Sequence, residues 1–129
     1  GVLGSQMTQF WSPDLDNAQN KKFVDGFKKK YGKYPSFYAA QSYDTIFMIK
    51  DAVEAVKGDL KNMDGMRARM EMADFPSVRG KFNFGKNHFP IQNFYVRDVV
   101  TDADGVWTTK ISGIALENHQ DSYATLCKS

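Results

Sequence analysis

At 129 residues and 14.6 kDa the chain is long enough for one ordinary core, and 42% hydrophobic with 25% charged residues is a soluble globular balance rather than a disordered one. A net charge of +2 is too small to point to nucleic acid or an anionic membrane, and no apolar run reaches the roughly 18 residues of a membrane span. The single Cys127 excludes an internal disulfide.

The opening GVLGSQMTQFW lacks the basic-then-apolar pattern of a signal peptide and reads as the interior of a domain, with Val2 to Phe10 predicted as a strand or crossover. Trp11 to Asn17 carries Pro13 and three Asx residues, which is loop chemistry. Asp16, with Gln19 three residues on, resembles a capping box; Phe23, Val24, Phe27 and Tyr31 then share a face up to Gly32, the predicted C′ residue of a first helix. Lys21, Lys22, Lys28, Lys29 and Lys30 fall mostly on its far face. A polyanion reader could use that run, but cations on a solvated face near the negative end of the helix dipole explain it more simply.

The rest of the chain is organised around Tyr34 to Gly58. Pro35 cannot sit inside a helix and Ser36 can cap one, so a helix starts there and ends at Gly58. Ala39, Tyr43, Ile46, Ile49, Val53 and Val56 recur at helical spacing, and Ala40, Phe47, Met48, Ala52 and Ala55 widen the stripe past half the circumference. A rim of Asp44, Lys50, Asp51, Glu54 and Lys57 is left for water. Such a helix must be covered on two sides, by a sheet and by another helix. Asn62 caps a third helix in which Met63, Met66, Met70 and Ala73 share a face; that spacing is core filler rather than a soft-metal site.

From Val78 the period changes from 3.6 to 2. Val78, Gly80, Phe82 and Phe84 alternate with Arg79, Lys81 and Asn83, which predicts a strand. KNHFPIQ predicts a loop into a second strand from about Asn93 to Thr101, where Phe94, Val96 and Val100 oppose Tyr95, Arg97 and Val99. Asp104-Gly105 is a two-residue hairpin signal, with Val106 to Ile111 returning. After Gly113 the chain runs to a short last helix or turn at Cys127. Broadly apolar helices thus crowd the first half and antiparallel strands the second, with no parallel strands for the helices to lie on. The central helix wants a sheet that another stretch of polypeptide supplies.

Chemistry-bearing motifs are few. There is no phosphate loop, nucleophile elbow, C-x-x-C or H-E-x-x-H, so neither enzyme activity nor a cofactor or metal is expected. His88 and His119 sit in separate polar loops, and Asp98, Asp102 and Asp104 cluster near a solvated hairpin. Cys127 has no nearby base. Trp11, Tyr34, Phe37, Tyr38 and Tyr43 gather around the start of the central helix. Free N–H groups and the dipole there would hold a small anion while rings cover an apolar body.

FVDGFKKKYGKYPSFYAAQSYDTIFMIKDAV, a short helix, and then FPSVRGKFNFGKNHFPIQNFYVRDV together resemble the C-terminal third of a type I periplasmic solute-binding protein. More narrowly, the chain is similar to the branched-chain amino acid (Leu/Ile/Val) binding family of ABC importers over essentially its whole length. Y-G-x-x-P with A-A-x-x-Y-D (Tyr31 to Asp44) and V-R-G-K-F-x-F (Val78 to Phe84) are the most specific parts. The ending, with Asp121, Tyr123, Ala124 and Cys127, looks like the tail of a subgroup whose relatives take aromatic acids such as benzoate.

The resemblance implies an α/β fold of two lobes that close on a ligand. Residues from about 11 to 79 would be helices of one lobe, on a sheet supplied mainly by a missing N-terminal part. Residues from about 80 to 129 would form a crossover and strands of the other lobe. The aromatic of A-A-x-x-Y-D faces the ligand cleft in relatives, which carries over to Tyr43, and the expectation extends to Gln41, Ser42 and Trp11. The implied function is periplasmic, non-enzymatic binding of a small carboxylate, an aromatic acid or branched-chain amino acid, for delivery to an ABC importer permease. The same fold also serves as a sensing domain of signalling receptors. A self-contained interaction or nucleic-acid-binding domain using the Lys21 to Lys30 face would instead show affinity falling steeply with salt. A third of a two-lobed protein leaves the central helix under-buried. A fragment is therefore expected, completed by the missing N-terminal part or by a self-associated copy. In an oxidising periplasm Cys127 would pair with a cysteine upstream of Gly1.

Overall fold

The order of elements in a computed structural model, which describes residues 2–127, is β1 (Gln6–Gln9), α1 (Ala18–Tyr31), α2 (Phe37–Ala55), α3 (Met63–Glu71), β2 (Asn83–Phe84), β3 (Pro90–Thr101) and β4 (Trp107–His119), with a 3-10 turn at Ala124–Leu126. Each helix starts on a side-chain cap. Asn17, not Asp16, accepts the Asn20 N–H at 2.8 Å to open α1, while Asp16 is drawn out to Lys21 at 2.7 Å. The cap falls one residue late because the Asn17 amide also donates to the Val78 carbonyl at 3.0 Å, tying α1 to the second half of the chain. Gly32 closes α1 with φ 67, a conformation that costs glycine nothing. Ser36 opens α2 and Asn62 opens α3, accepting the N–H groups of Ala39 and Gly65.

The sheet is antiparallel and open, with β3 at its centre. β4 runs along β3 from Gln92↔His119 to Thr101↔Trp107, and β1 pairs with it from Gln9↔Tyr95 to Gln6↔Asp98. Because those two registers overlap, β1 and β4 lie on opposite edges. β2 pairs only with Pro90 and Ile91. The hairpin is as expected, but its turn spans 102–106 rather than two residues. The Asp102 side chain accepts the N–H groups of Asp104 and Val106, and Gly105 takes φ 77. β3 starts three residues before the expected Asn93, and β4 continues through Gly113 to His119 where a strand ending at Ile111 was expected. A register irregularity between Val96 and Arg97 absorbs the glycine.

The larger correction concerns Val78 to Phe84. Only Asn83 and Phe84 are strand; Val78 and Arg79 lie in a turn and Gly80 has φ 80. The alternating pattern survives as alternating burial, Val78 and Phe82 in and Lys81 and Asn83 out. The backbone is held by a carboxylate instead of a neighbouring strand. Asp44 of α2 accepts from Val78 N at 2.8 Å, Ser77 Oγ at 2.6 Å and Arg79 Nε at 3.0 Å. Helical spacing put Asp44 on the water rim, yet it is 2% exposed, because these three donors replace its hydration.

The core is small: Trp11, Phe23, Val24, Ala40 and Val78, with Phe10, Leu15, Phe27, Tyr34, Phe37 and Tyr43 packed against it. α2 is covered on one side only. Ala40, Asp44 and Ala52 are buried, whereas Tyr38, Ile46 and Ile49 are exposed, Ile46 to 65%. The chain exposes 8695 Å² against the roughly 6,900 Å² of a compact monomer of 14.6 kDa. No helix among the described residues is long and apolar enough to cross a membrane.

Candidate functional site

A cleft of about 540 Å³ opens where the N-terminus of α2 meets the β1–β3–β4 sheet, within the range of small-ligand sites. Tyr34, Phe37 and Trp107 supply rings to its walls, the Trp11 residue lines its floor, and Arg97 and Met7 reach it from β3 and β1. Pro35 and Ser36 fix the start of α2, which sets Phe37 edge-on to Phe10 with centroids 6.1 Å apart. Tyr34 is pinned from outside: its hydroxyl donates to Asp102 at 2.9 Å and accepts from Lys28 at 3.1 Å, with the Lys28 ammonium 4.2 Å from the ring centroid.

Asp102 thereby joins the hairpin turn to the aromatic wall. The Val106 N–H foremost holds its carboxyl below the ordinary 3.8; desolvation, the next-largest influence, opposes this, and the Tyr34 hydroxyl, the Asp104 N–H and the Lys28 charge tip the balance further down. A carboxyl lowered in the folded state stabilises above its unfolded value and loses that contribution as pH falls through the folded one. Acidification from 3.8 downward should therefore release the turn and Tyr34 together. The Val106 amide shift, followed by NMR, should titrate with a midpoint below 3.8, and a midpoint above it would refute the assignment.

Two groups lining the cleft are left short of partners, the Thr108 hydroxyl and the Arg97 guanidinium, and of these Arg97 carries the charge. It is 6% exposed and stands opposite Met7 in the β1 register. Nη1 donates to the Trp11 carbonyl at 3.0 Å and to Thr109 Oγ1 at 3.3 Å. Nη2 reaches only the Met7 thioether, at 3.1 Å, and Nε has no partner. No carboxylate among the described residues pairs with it. Asp14, the acid whose charge it feels, accepts from Ser12 Oγ at 2.6 Å and from the Ile111 N–H at 2.9 Å. Burial pushes the guanidinium pKa down, and Asp14 only partly opposes this.

The four residues expected to touch a ligand are not brought to one place. Trp11 is fully buried, its indole N–H donating to Asn20 Oδ1 at 2.8 Å while the Asn20 amide donates to the carbonyls of Ser12, Pro13 and Leu15. Tyr43 is half-buried between Phe23 and Phe47, each 4.7 Å away, and its hydroxyl accepts from Gln19 at 3.2 Å. Burial, aided by the Asp44 charge, pushes that hydroxyl's pKa up. Trp11 and Tyr43 thus meet through Phe23. Gln41 and Ser42 lie exposed on α2, Ser42 donating to the Tyr38 carbonyl at 2.9 Å. The Arg97 cleft escaped the sequence reading, although one signal was present: Arg97 stood between Tyr95 and Val99 on one face of a strand. Among the described residues no three His, Cys, Asp or Glu side chains converge as metal ligands, Cys127 is an exposed thiol, and His88 meets Glu71 at 3.3 Å.

The sequence profile of the periplasmic binding protein family matches residues 1–105. No curated protein matches the sequence significantly. Among solved structures, a solute-binding protein of an ABC transporter from R. palustris, in complex with benzoate, is similar with TM-score 0.81 and 32% identity over 94% of this chain and 32% of its own. Another, from Rhodopseudomonas palustris BisB5 in complex with 3,4-dihydroxybenzoic acid, gives TM-score 0.79 and 27% identity over 94% of this chain and 33% of its own. A leucine-binding protein from Thermotoga maritima gives TM-score 0.69 and 26% identity over 88% of this chain and 31% of its own. The chain thus spans about a third of the length of the structures it matches.

Proposed function

The chain belongs to the type I periplasmic binding protein family, and from that premise we propose that it serves as part of an extracytoplasmic solute receptor that binds a small carboxylate for an ABC importer. The observation that carries this reading is the cleft at the start of α2, ringed by aromatics and holding a buried cation that no carboxylate among the described residues pairs with directly. An aromatic acid, or a branched aliphatic one, matches that combination of apolar wall and positive charge. Both kinds of acid are bound by the similar proteins. Binding would proceed by closure of two lobes, the ligand stabilising the closed state by its differential affinity. Residues 11–79 would belong to one lobe, and residues 80–129 to the crossover and strands of the other.

In that arrangement Trp11 holds the loop that forms the cleft floor, while Tyr43, with Gln41 and Ser42 beside it, lies outside this cleft and would reach the ligand only on the face turned to the closing lobe. The partners are a permease and the remaining polypeptide or a second copy, which would cover Tyr38, Ile46 and Ile49. No reaction is carried out on the solute. Calorimetric titration with benzoate, 4-hydroxybenzoate and leucine tests the reading: one of these acids should bind with 1:1 stoichiometry and raise the melting temperature. Failure of all three, together with DNA binding that falls steeply with salt, would favour the interaction domain.

A further inference from the structure

We propose that Arg97 is the seat of the ligand's carboxylate, gripping it through the Nε–Nη2 edge of the guanidinium after the Met7 side chain swings aside. The proposal rests on the receptor reading and gives its ligand an anchor. A guanidinium presents its donors in a rigid fork, and the edge formed by Nε and Nη2 matches the two oxygens of a carboxylate. In Arg97 that edge is the one without an oxygen: Nε is unpartnered and Nη2 meets only a thioether, which is a weak acceptor. The opposite side is fixed by the Trp11 carbonyl and Thr109, so the fork is already oriented. The same chain shows what a satisfied arginine looks like, since Arg79 uses Nε on Asp44 and Nη1 on Gln92. A buried cation left short of partners is costly, and the cost is removed when an anion arrives.

Met7 is suited to be the displaceable group. It stands opposite Arg97 on an edge strand, is 41% exposed, and carries an unbranched, adaptable side chain. Beyond it, Trp107, Tyr34 and Phe37 offer apolar surface for the rest of the ligand. The chemistry selected is therefore a monocarboxylate with a flat or bulky apolar body; a neutral amide of the same shape would lack the charge-assisted pair.

Calorimetry with benzoate and with benzamide, on the wild type and on two variants, tests this. Wild type should bind benzoate about 30-fold or more tightly than benzamide, and Arg97→Met should lose benzoate affinity by a similar factor while benzamide changes little. Met7→Glu places an internal carboxylate against the free edge; it should raise the melting temperature and compete benzoate away, and it does not depend on Arg97→Met folding. If wild type binds benzoate and both variants bind it equally well, Arg97 is not the anchor and the receptor reading survives. If Arg97→Met keeps benzoate affinity but melts far below wild type, Arg97 is structural and the proposal is overturned. If wild type binds none of benzoate, 4-hydroxybenzoate and leucine, the receptor reading and the anchor fall together.

Discussion

Replacing Asp44 by alanine is expected to cost about 3–5 kcal/mol, a large share of the roughly 5–15 kcal/mol that holds a domain of this size. Asp44 is the acceptor for three donors at once, the Ser77 hydroxyl, the Val78 N–H and Arg79 Nε. Arg79 has only a tenth of its side chain exposed and stacks 4.1 Å from the Phe82 centroid, so it cannot recover hydration without leaving that ring. Removing the carboxylate leaves a buried cation and a buried N–H unpaired. In denaturant titrations the Asp44→Ala midpoint should fall with little change in slope. Adding Arg79→Met should restore much of the loss, because removing both ends of a buried pair costs far less than removing one. A single-variant loss below about 1 kcal/mol would mean the three donors find water instead.

Trp11→Ala should cost a further large amount, about 3–5 kcal/mol, from loss of the largest fully buried side chain and the cavity it leaves. Trp11→Phe should cost about 1–3 kcal/mol, because Asn20 Oδ1 then has no donor in a buried position. Fluorescence makes this measurable. Trp11 is 1% exposed and Trp107 is 50% exposed, so the Trp11 variants should lose the blue-shifted, unquenched component and keep the component that iodide quenches. A Trp11→Phe variant that folds normally yet no longer binds any acid would reverse the assignment, making the indole a ligand contact rather than a support.

How far the sequence could be read depended on whether the deciding contacts were local. Caps, the left-handed Gly32 and the position of the Asp-Gly turn are decided within a few residues, and they stand close to where short-range chemistry put them, with three shifts: Asn17 displaces its neighbour as cap, α2 ends at Ala55 rather than at Gly58, and the turn takes five residues rather than two. Asp44 could not be placed from spacing, because its three donors come from residues 77–79, more than thirty positions away. The same contacts kept Val78 to Phe82 out of the sheet although their pattern alternates. Arg97 is legible only once β1 and β4 are known to flank β3, which brings Met7, Trp11 and Thr109 around it from distant parts of the chain. The apolar stripe of α2, by contrast, was legible apart from Asp44, and the side left uncovered shows in the exposure of Ile46 and Ile49.

The pairing of β1 with β3 also bears on how the chain folds. β3 and β4 are joined by five residues and can zip from their turn, and the helices close on near neighbours. Gln6 meets Asp98 across a separation of 92 residues, so seating β1 closes a loop that takes in most of the chain. Relative to a ten-residue loop, that closure costs about 2 kcal/mol more in entropy. β1 is therefore expected to dock last on refolding and to leave first, with the surroundings of Arg97 that it completes assembled in the final step.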